Sequence, residues 1–467
     1  MRGWWILIAC VAAAAIAMHV PGELSMDSSL QVYEALTGRS VSWAPPFMSA
    51  LLRWMGGGPQ STTLFVVICT LATYGGLGLA LGRGTGPGVP GVPAATGRAG
   101  AWRALRIAAI AILLLNPILF LHVGIVWKDV LFASQLALAM GLMLAAVDCP
   151  RWRRWLFVAA CLVLLPAPLV RQHGVLLTPL LAAPCLWAIT APREPGRIRR
   201  GARLGAMAAA TGAYIVLFLL LNAAVQHTIR GAGEKSASVG LTVIARYDLT
   251  GMIAKGMPVS RLPPTLRDPA FLAASRRHYS DDRIDFVLHE PTIEATFEML
   301  DDRQLQAAWV DAVAAEPLRY LEVKGAQYAW LIGLHRLDKC LPVHVGVEGN
   351  REFLLASGFQ PGLDARDPWL YRLSMFTRHF ALYRHWFYLV VFAGCVAVLF
   401  ARRRRIAPPE RGVLAAFVLA IAVLYASFGP TVLACDFRYL YPGIVMVSAL
   451  ALHLMAKPAL RRTSTDD

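Results

Sequence analysis

Four short polar turns interrupt an otherwise apolar chain, and each carries ionisable side chains where an apolar run ends. The first, SMDSSLQVYEALTGRSVSWAPP at residues 25–46, places Asp27 at its start and Glu34 further on. The second, HVGIVWKDVLF, holds Lys128 and Asp129. The third, PLVRQHGVL, packs Arg171, Gln172 and His173 into one tight turn. The fourth, ACDFRYLYP, contains Asp436, Arg438, Tyr439 and Tyr441. Taken singly, each has an ordinary explanation. Asp27 suits the positive end of a helix. Lys128 can snorkel while Asp129 caps, Asp436 and Arg438 can form a local ion pair, and interfacial tyrosines belong to an aromatic belt. Taken together, they combine carboxylates that can accept a proton with lysine, arginine and histidine that can bind an anion.

That combination matters only if one structure brings the four turns to the same side. The 467 residues are 57% hydrophobic and 16% charged, with a mean hydropathy of +0.52, which is too apolar for an ordinary soluble chain. Ten apolar runs approach the length of a membrane helix: 4–20, 62–82, 104–122, 130–147, 155–170, 174–190, 204–222, 384–400, 412–428 and 439–456. Pro166 and Pro168 interrupt the fifth. Every second connection is basic: Arg83 to Arg106, Arg151 to Arg154, Arg193 to Arg203, Arg402 to Arg405, and Lys457 to Arg462. The positive-inside pattern therefore predicts cytoplasmic termini and puts all four polar turns on the outer side of an inner (plasma) membrane. The net charge of +16 belongs to the cytoplasmic connections, so it gives no reason to invoke nucleic acid. No phosphate-cradling glycine loop or solenoid repeat is visible.

Three regions follow. Residues 1–222 form a seven-span module with a first outer loop at 21–61. Residues 223–383 form a mainly α outer domain, and 384–467 hold the last spans and a short cytoplasmic tail. The first run is read as a retained span rather than a cleaved signal, and 84–100 as a flexible linker. In the first loop, capping-box spacing predicts a helix from Ser28, with Leu30, Tyr33 and Leu36 near one face, Glu34 toward water and Gly38 as its stop. Pro45-Pro46 opens a second helix carrying Phe47, Leu51, Trp54 and Met55, which Gly56 to Gly58 end. Both are expected to lie on the membrane surface, with Asp27 at the membrane edge. The acidic run at 281–285 is a poor metal-site match and is expected to be a solvated loop. None of the eight cysteines forms a CxxC pair. Cys340 and Cys435 fall outside the spans, and a disulfide between them is left open.

The chain resembles the GT-C class of membrane glycosyltransferases, including its protein mannosyltransferase and aminoarabinose transferase branches. The resemblance is carried by Asp27 with GRSVSWAPPF, the WKD turn, the RQHG turn and DFRYLYP. It also rests on AWVDAVAAEPLRYLEVKGAQYAWLIGL, where Trp309, Pro317 and Tyr320 match a surface helix before the later spans. It implies an all-α polytopic GT-C-like fold and a polyprenyl-phosphate-linked sugar donor. The acceptor would be an envelope lipid, glycan or protein. Under this reading Asp27 is the catalytic base, and Lys128, Arg171, His173 and Arg438 bind the donor phosphate. Asp129 orients Lys128 or holds a divalent ion, Mg or Mn, while Glu34, Gln172, Asp436 and Tyr439 support the site. A Lys-Asp pair stands where many members have an acidic pair, so the metal is left open. Two other classes compete. An O-antigen ligase or polymerase would centre on Arg171 and His173 and make Asp27 dispensable. A transporter or flippase predicts inverted repeats and charges within spans, which the sequence does not display.

Overall fold

The computed structural model describes residues 2–42, 44–82, 98–191, 200–231, 238–340 and 342–457. The described residues are helical and contain no strand beyond isolated bridges. In chain order the first helices are α1 (Arg2–His19), α2 (Met26–Thr37), α3 (Phe47–Trp54), α4 (Gly58–Leu81), α5 (Arg98–Leu114), α6 (Pro117–His122) and α7 (Lys128–Asp148). There follow α8 (Arg153–Leu164), α9 (Ala167–Val170), α10 (His173–Ile189) and α11 (Arg200–Thr228). The outer region holds α12 (Ser238–Ala254), α13 (Pro269–His278), α14 (Asp285–Leu288), α15 (Pro291–Glu298), α16 (Asp302–Ala315) and α17 (Pro317–Leu331). It continues with α18 (Arg351–Ala356) and α19 (Asp367–Thr377), and α20 (His385–Arg402), α21 (Pro408–Thr431) and α22 (Tyr441–Ala456) complete the chain.

Eight stretches among the described residues are long and apolar enough to cross a membrane. They coincide with eight of the ten predicted runs. The other two runs, at the first and sixth positions, are the shorter apolar helices Gly3–His19 and His173–Ile189. The chain is thus all-α and polytopic. Proline shapes several spans. Asn116 caps α6 by accepting the Ile118 N–H at 3.0 Å, and Pro117 follows as a first helical residue with no N–H to satisfy. Pro166 separates α8 from α9, where the interrupted run was expected. The linker falls mostly outside the described residues, as do Arg193, Arg197, Arg199 and Arg461.

Helices α4, α7 and α22 form the centre of the bundle, and α22 is buried nearly throughout. Helices α4 and α7 cross where both lack a side chain. A Cβ on Gly76 would lie 2.3 Å from the Ala137 carbonyl oxygen, and one on Gly141 would lie 2.3 Å from that of Gly76. Thr73 and Ser134 share a buried hydroxyl hydrogen bond of 2.9 Å at the same crossing. Small residues allow this approach, which gives dispersion contact where lipid supplies no hydrophobic drive. Gly76→Leu should force the helices apart and destabilise the protein by about 3 kcal/mol or more. The check is the thermal midpoint of detergent-solubilised protein; a midpoint equal to wild type would refute the contact.

Ion pairs show that the helices alternate in direction. At one end, Lys457 Nζ reaches Asp148 Oδ1 at 3.0 Å and Glu410 Oε1 at 2.6 Å, so the ends of α7 and α22 meet the start of α21. At the other end, the four polar turns meet. Helix α11 runs to Thr228, past the boundary expected at 222.

The region after α11 is not one unit. Residues from Ala245 to Val323 build a second core around Tyr247, Phe271 and Phe297. At its edge Lys324 Nζ pairs with buried Asp248 at 2.6 Å, and Trp309 Nε1 donates to the same carboxylate at 3.2 Å. Burial raises the Asp248 carboxyl to about 6 and lowers Lys324, with their attraction opposing both shifts. Trp309 and Tyr320 meet edge to face at 6.5 Å. By contrast, Leu337, Leu354, Phe359, Leu370 and Tyr383 join the core of the membrane bundle.

The acidic run is docked rather than solvated, which corrects the expectation for it. Asp282 is buried, its carbonyl accepts the Cys435 N–H at 2.8 Å, and Ile284 N–H donates to Leu433 O at 2.9 Å. Backbone pairing with the turn before α22 holds the segment, and local charge could not reveal a partner so distant in sequence. Cys340 and Cys435 form a disulfide beside this pairing. They are separated by 95 positions, and closing so long a loop contributes about 2–4 kcal/mol. Cys340→Ser should therefore lower the thermal midpoint and abolish the mobility shift on reduction; an unchanged midpoint would count against that contribution.

Candidate functional site

The sequence around Asp27 folds as a capped helix start, but one turn earlier than expected. Ser25, not Ser28, is the N-cap of α2, and its N–H donates to Ser28 Oγ at 3.3 Å. Trp127 Nε1 donates to Ser25 Oγ at 2.7 Å, which ties this cap to the turn before α7. Asp27 consequently lies in the first turn of α2, with its carboxylate about half exposed. Gly38 ends the helix with φ +71°, as its lack of Cβ allows.

One further expectation for this loop is corrected. The face buried by α2 carries Gln31, Val32, Glu34 and Ala35, while Leu36 is exposed and Tyr33 stacks on Phe353 at 4.1 Å. Glu34 does not face water. It is buried and accepts from Val41 N–H at 2.7 Å, Ser42 N–H at 2.6 Å and Ser49 Oγ–H at 2.6 Å. Its carboxylate organises the turn between α2 and α3, so its support for the site is indirect.

The other three turns meet Asp27 through two arginines. Arg438 Nη1 pairs with Asp27 Oδ2 at 2.7 Å, and Arg438 Nη2 pairs with Asp436 Oδ2 at 3.1 Å. Its guanidinium also lies over the Trp127 ring, 4.8 Å from the centroid. One side chain therefore bridges the first loop, the WKD turn and the turn before α22. Asp436 is largely shielded from water, with its side chain 14% exposed, and this desolvation raises its carboxyl above the ordinary value against the attraction of Arg438.

Deeper in, Arg171 forms an ion pair with Asp129, and both side chains are buried. Arg171 also lies over the rings of Phe428 at 5.5 Å and Tyr439 at 5.3 Å, and donates to the Tyr439 carbonyl at 3.4 Å. Burial lowers Arg171 to about 10, leaving it cationic at neutral pH. His173 stacks on Phe428 at 4.1 Å, and Phe428 stacks on Tyr439 at 6.1 Å. Lys128 opens α7 within the electrostatic reach of Asp27, Arg171 and Arg438. Gln172 is exposed toward Gly240 at the start of α12.

The structure thus brings together Asp27, Lys128, Asp129, Arg171, His173, Asp436, Arg438 and Tyr439. Glu34 lies in the turn behind them, and Gln172 lies at the rim. Asp129 takes Arg171 as its ion-pair partner, where the sequence left a choice between orienting Lys128 and holding a metal. Among the described residues, no group of three or more His, Cys, Asp or Glu side chains is placed to hold a metal ion. With Asp129 on Arg171, and Asp27 and Asp436 on Arg438, this donor set does not fit a divalent cation.

Several residues escaped the sequence. Trp127 belongs to the quoted WKD turn, but nothing local assigned its ring to Arg438. Glu23, which the sequence offers as a rival acid to Asp27, is buried, pairs with His19 at 3.3 Å and accepts the Gly346 N–H at 2.7 Å, partners that no spacing announced. His344 Nε2 lies 2.8 Å from the Leu24 carbonyl oxygen. Arg283 acts electrostatically on Asp436. Segments 283 and 344–346 reach the site from far along the chain, beyond any spacing signal.

Chemically, the cluster places a half-exposed carboxylate beside cations held by buried carboxylates and aromatic rings. Such a site can receive an anion at Arg438 and Lys128 while Asp27 accepts a proton. Comparisons with family models, curated proteins and solved structures returned no match.

Proposed function

We propose that this membrane protein is an inverting glycosyltransferase of the GT-C type. It moves a sugar from a polyprenyl-phosphate donor to an envelope lipid, glycan or protein on the outer face of the inner membrane. The observation that carries the reading is Asp27, half exposed and 2.7 Å from an arginine, at membrane-helix ends where Lys128 and Arg171 also meet. The donor phosphate binds Arg438 and Lys128, displacing part of the Arg438–Asp27 contact. Asp436 keeps Arg438 in place during the exchange. Freed from the guanidinium, Asp27 accepts the proton of the acceptor hydroxyl. That oxygen attacks the anomeric carbon, and the bond from that carbon to the phosphate oxygen breaks with its electron pair passing to the phosphate. Arg438 and Lys128 stabilise the charge that develops there. Arg171, fixed by Asp129, holds the Tyr439 carbonyl and the Phe428–His173 stack as the wall behind the phosphate.

The Cys340–Cys435 bridge supports the outer placement, because disulfides persist in oxidising compartments. The basic connections at the other end of the bundle support cytoplasmic termini. The test compares envelope glycans by mass spectrometry in a deletion strain carrying wild type or Asp27→Asn, with equal membrane levels of both. Loss of one glycoform in the deletion, its return with wild type and its absence with the variant are expected. Full restoration by Asp27→Asn would remove the catalytic-base role.

A further inference from the structure

An open apolar cleft lies away from the charged cluster. It has a volume of about 800 Å³ and lies at the opposite end of the bundle, between α1, α4, α7 and α8. This is within the size range of pockets that hold drug-sized ligands. Its walls include Trp5, Ala9, Leu79, Ala145, Trp152 and Leu156. The cleft exists because α4 is small there: a Cβ on Gly78 would come within 2.7 Å of the Trp5 ring, so that indole rests on bare backbone. Asp148 is the acidic side chain on the wall, and Lys457 holds it at 3.0 Å.

We propose that this cleft binds a glycerophospholipid of the adjoining leaflet, with an acyl chain between α1 and α8 and its phosphate at Arg151 and Arg153. Three observations favour that occupant. Three of the four lining helices, α4, α7 and α8, lie in stretches long and apolar enough to cross a membrane and α1 is a shorter apolar helix, so a lipid chain is the apolar ligand at hand. Trp5 and Trp152 are exposed on its two sides at helix ends, the depth at which indoles sit among headgroups. Flanking the wall residue Trp152 in sequence, Arg151 lays its guanidinium over that ring at 6.0 Å and Arg153 is the next residue along, giving an anion the charge it needs. Arg153 also donates from Nε to the Ala146 carbonyl at 3.3 Å, which fixes it beside the end of α7.

The test measures lipid phosphorus per protein after purification in mild detergent, then reloading from vesicles of phosphatidylglycerol or of phosphatidylcholine. Wild type is expected to retain at least one phospholipid and to reload phosphatidylglycerol severalfold better than phosphatidylcholine. Ala9→Phe with Ala145→Phe, which fills the cleft, should lose that retained lipid while remaining monodisperse. Arg151→Gln with Arg153→Gln should keep retention but lose the headgroup preference. Equal lipid retention by the filled variant would overturn the site. Equal reloading of the two lipids by wild type would overturn the selection of an anionic headgroup by Arg151 and Arg153, and retention of polyprenyl phosphate alone would overturn the choice of lipid. Should the filled variant not be monodisperse, Ala9→Leu alone, which narrows the cleft less, must still reduce retention for the proposal to stand.

Discussion

Arg171→Met should destabilise the folded protein by about 3–5 kcal/mol, the largest stability effect expected at the site. The reason is Asp129, which is buried and loses its ion-pair partner. A buried carboxylate left without its cation carries its full desolvation penalty. The guanidinium also fills the space over Phe428 and Tyr439, so its removal loses packing as well as charge. Arg171→Met combined with Asp129→Leu should recover most of the loss, because a matched apolar pair in place of a buried ion pair is often neutral or better. The measurement is the thermal midpoint of purified protein for both singles and the double. If Arg171→Met melts with wild type, the pair carries no structural weight. If the double is as unstable as the single, the loss comes from packing rather than from the stranded charge. The double variant matters for function too. In the proposed mechanism it should retain some transfer, since Arg438 and Lys128 still face the donor phosphate.

The membrane helices were legible because a run of apolar residues long enough to cross lipid has few alternatives. All ten runs are helical, and even the break at Pro166 falls within the run that proline marked as interrupted. The convergence of the polar turns was legible through charge alternation, since basic connections at one end assign the remaining turns to the other. Detail within the turns was not. Ser25 and Ser28 offer similar caps, and the choice between them is made by Trp127 from outside the segment. Glu34 looked water-facing because donors such as Val41, Ser42 and Ser49 meet it only after the chain has turned back. The docking of Asp282 and Ile284 on residues 433–435 depends on backbone groups, which every residue carries and no side-chain pattern announces. Pairings such as Asp129 with Arg171 are equally silent: the sequence gives two charges near span ends, and only packing decides which cation each carboxylate meets.

Under the proposed transferase mechanism, Arg438→Gln should reduce sugar transfer by about 10²–10³-fold while leaving the protein folded, the largest expected effect on activity. Two opposing consequences decide the figure. Asp27 loses a cation 2.7 Å away, which frees its carboxylate to receive the acceptor proton before any donor arrives. The donor phosphate, however, loses the guanidinium meant to meet its growing charge as the anomeric bond breaks. The second consequence dominates, because it acts on the transition state, whereas the first removes only a contact that donor binding already displaces. Stability should change less than for Arg171, since Asp27 is half exposed and can be hydrated. Asp436 is the residue left in difficulty. It is largely shielded and its carboxyl is already raised, so without Arg438 it should take up a proton rather than unfold the turn. Arg438→Lys separates charge from geometry. A lysine can supply the positive charge but cannot hold Asp27, Asp436 and the Trp127 face at once. It should restore a minor part of the transfer, read as glycoform intensity at matched membrane levels. Full activity in Arg438→Lys would reduce Arg438 to a point charge. Full activity in Arg438→Gln would take it out of the donor site altogether.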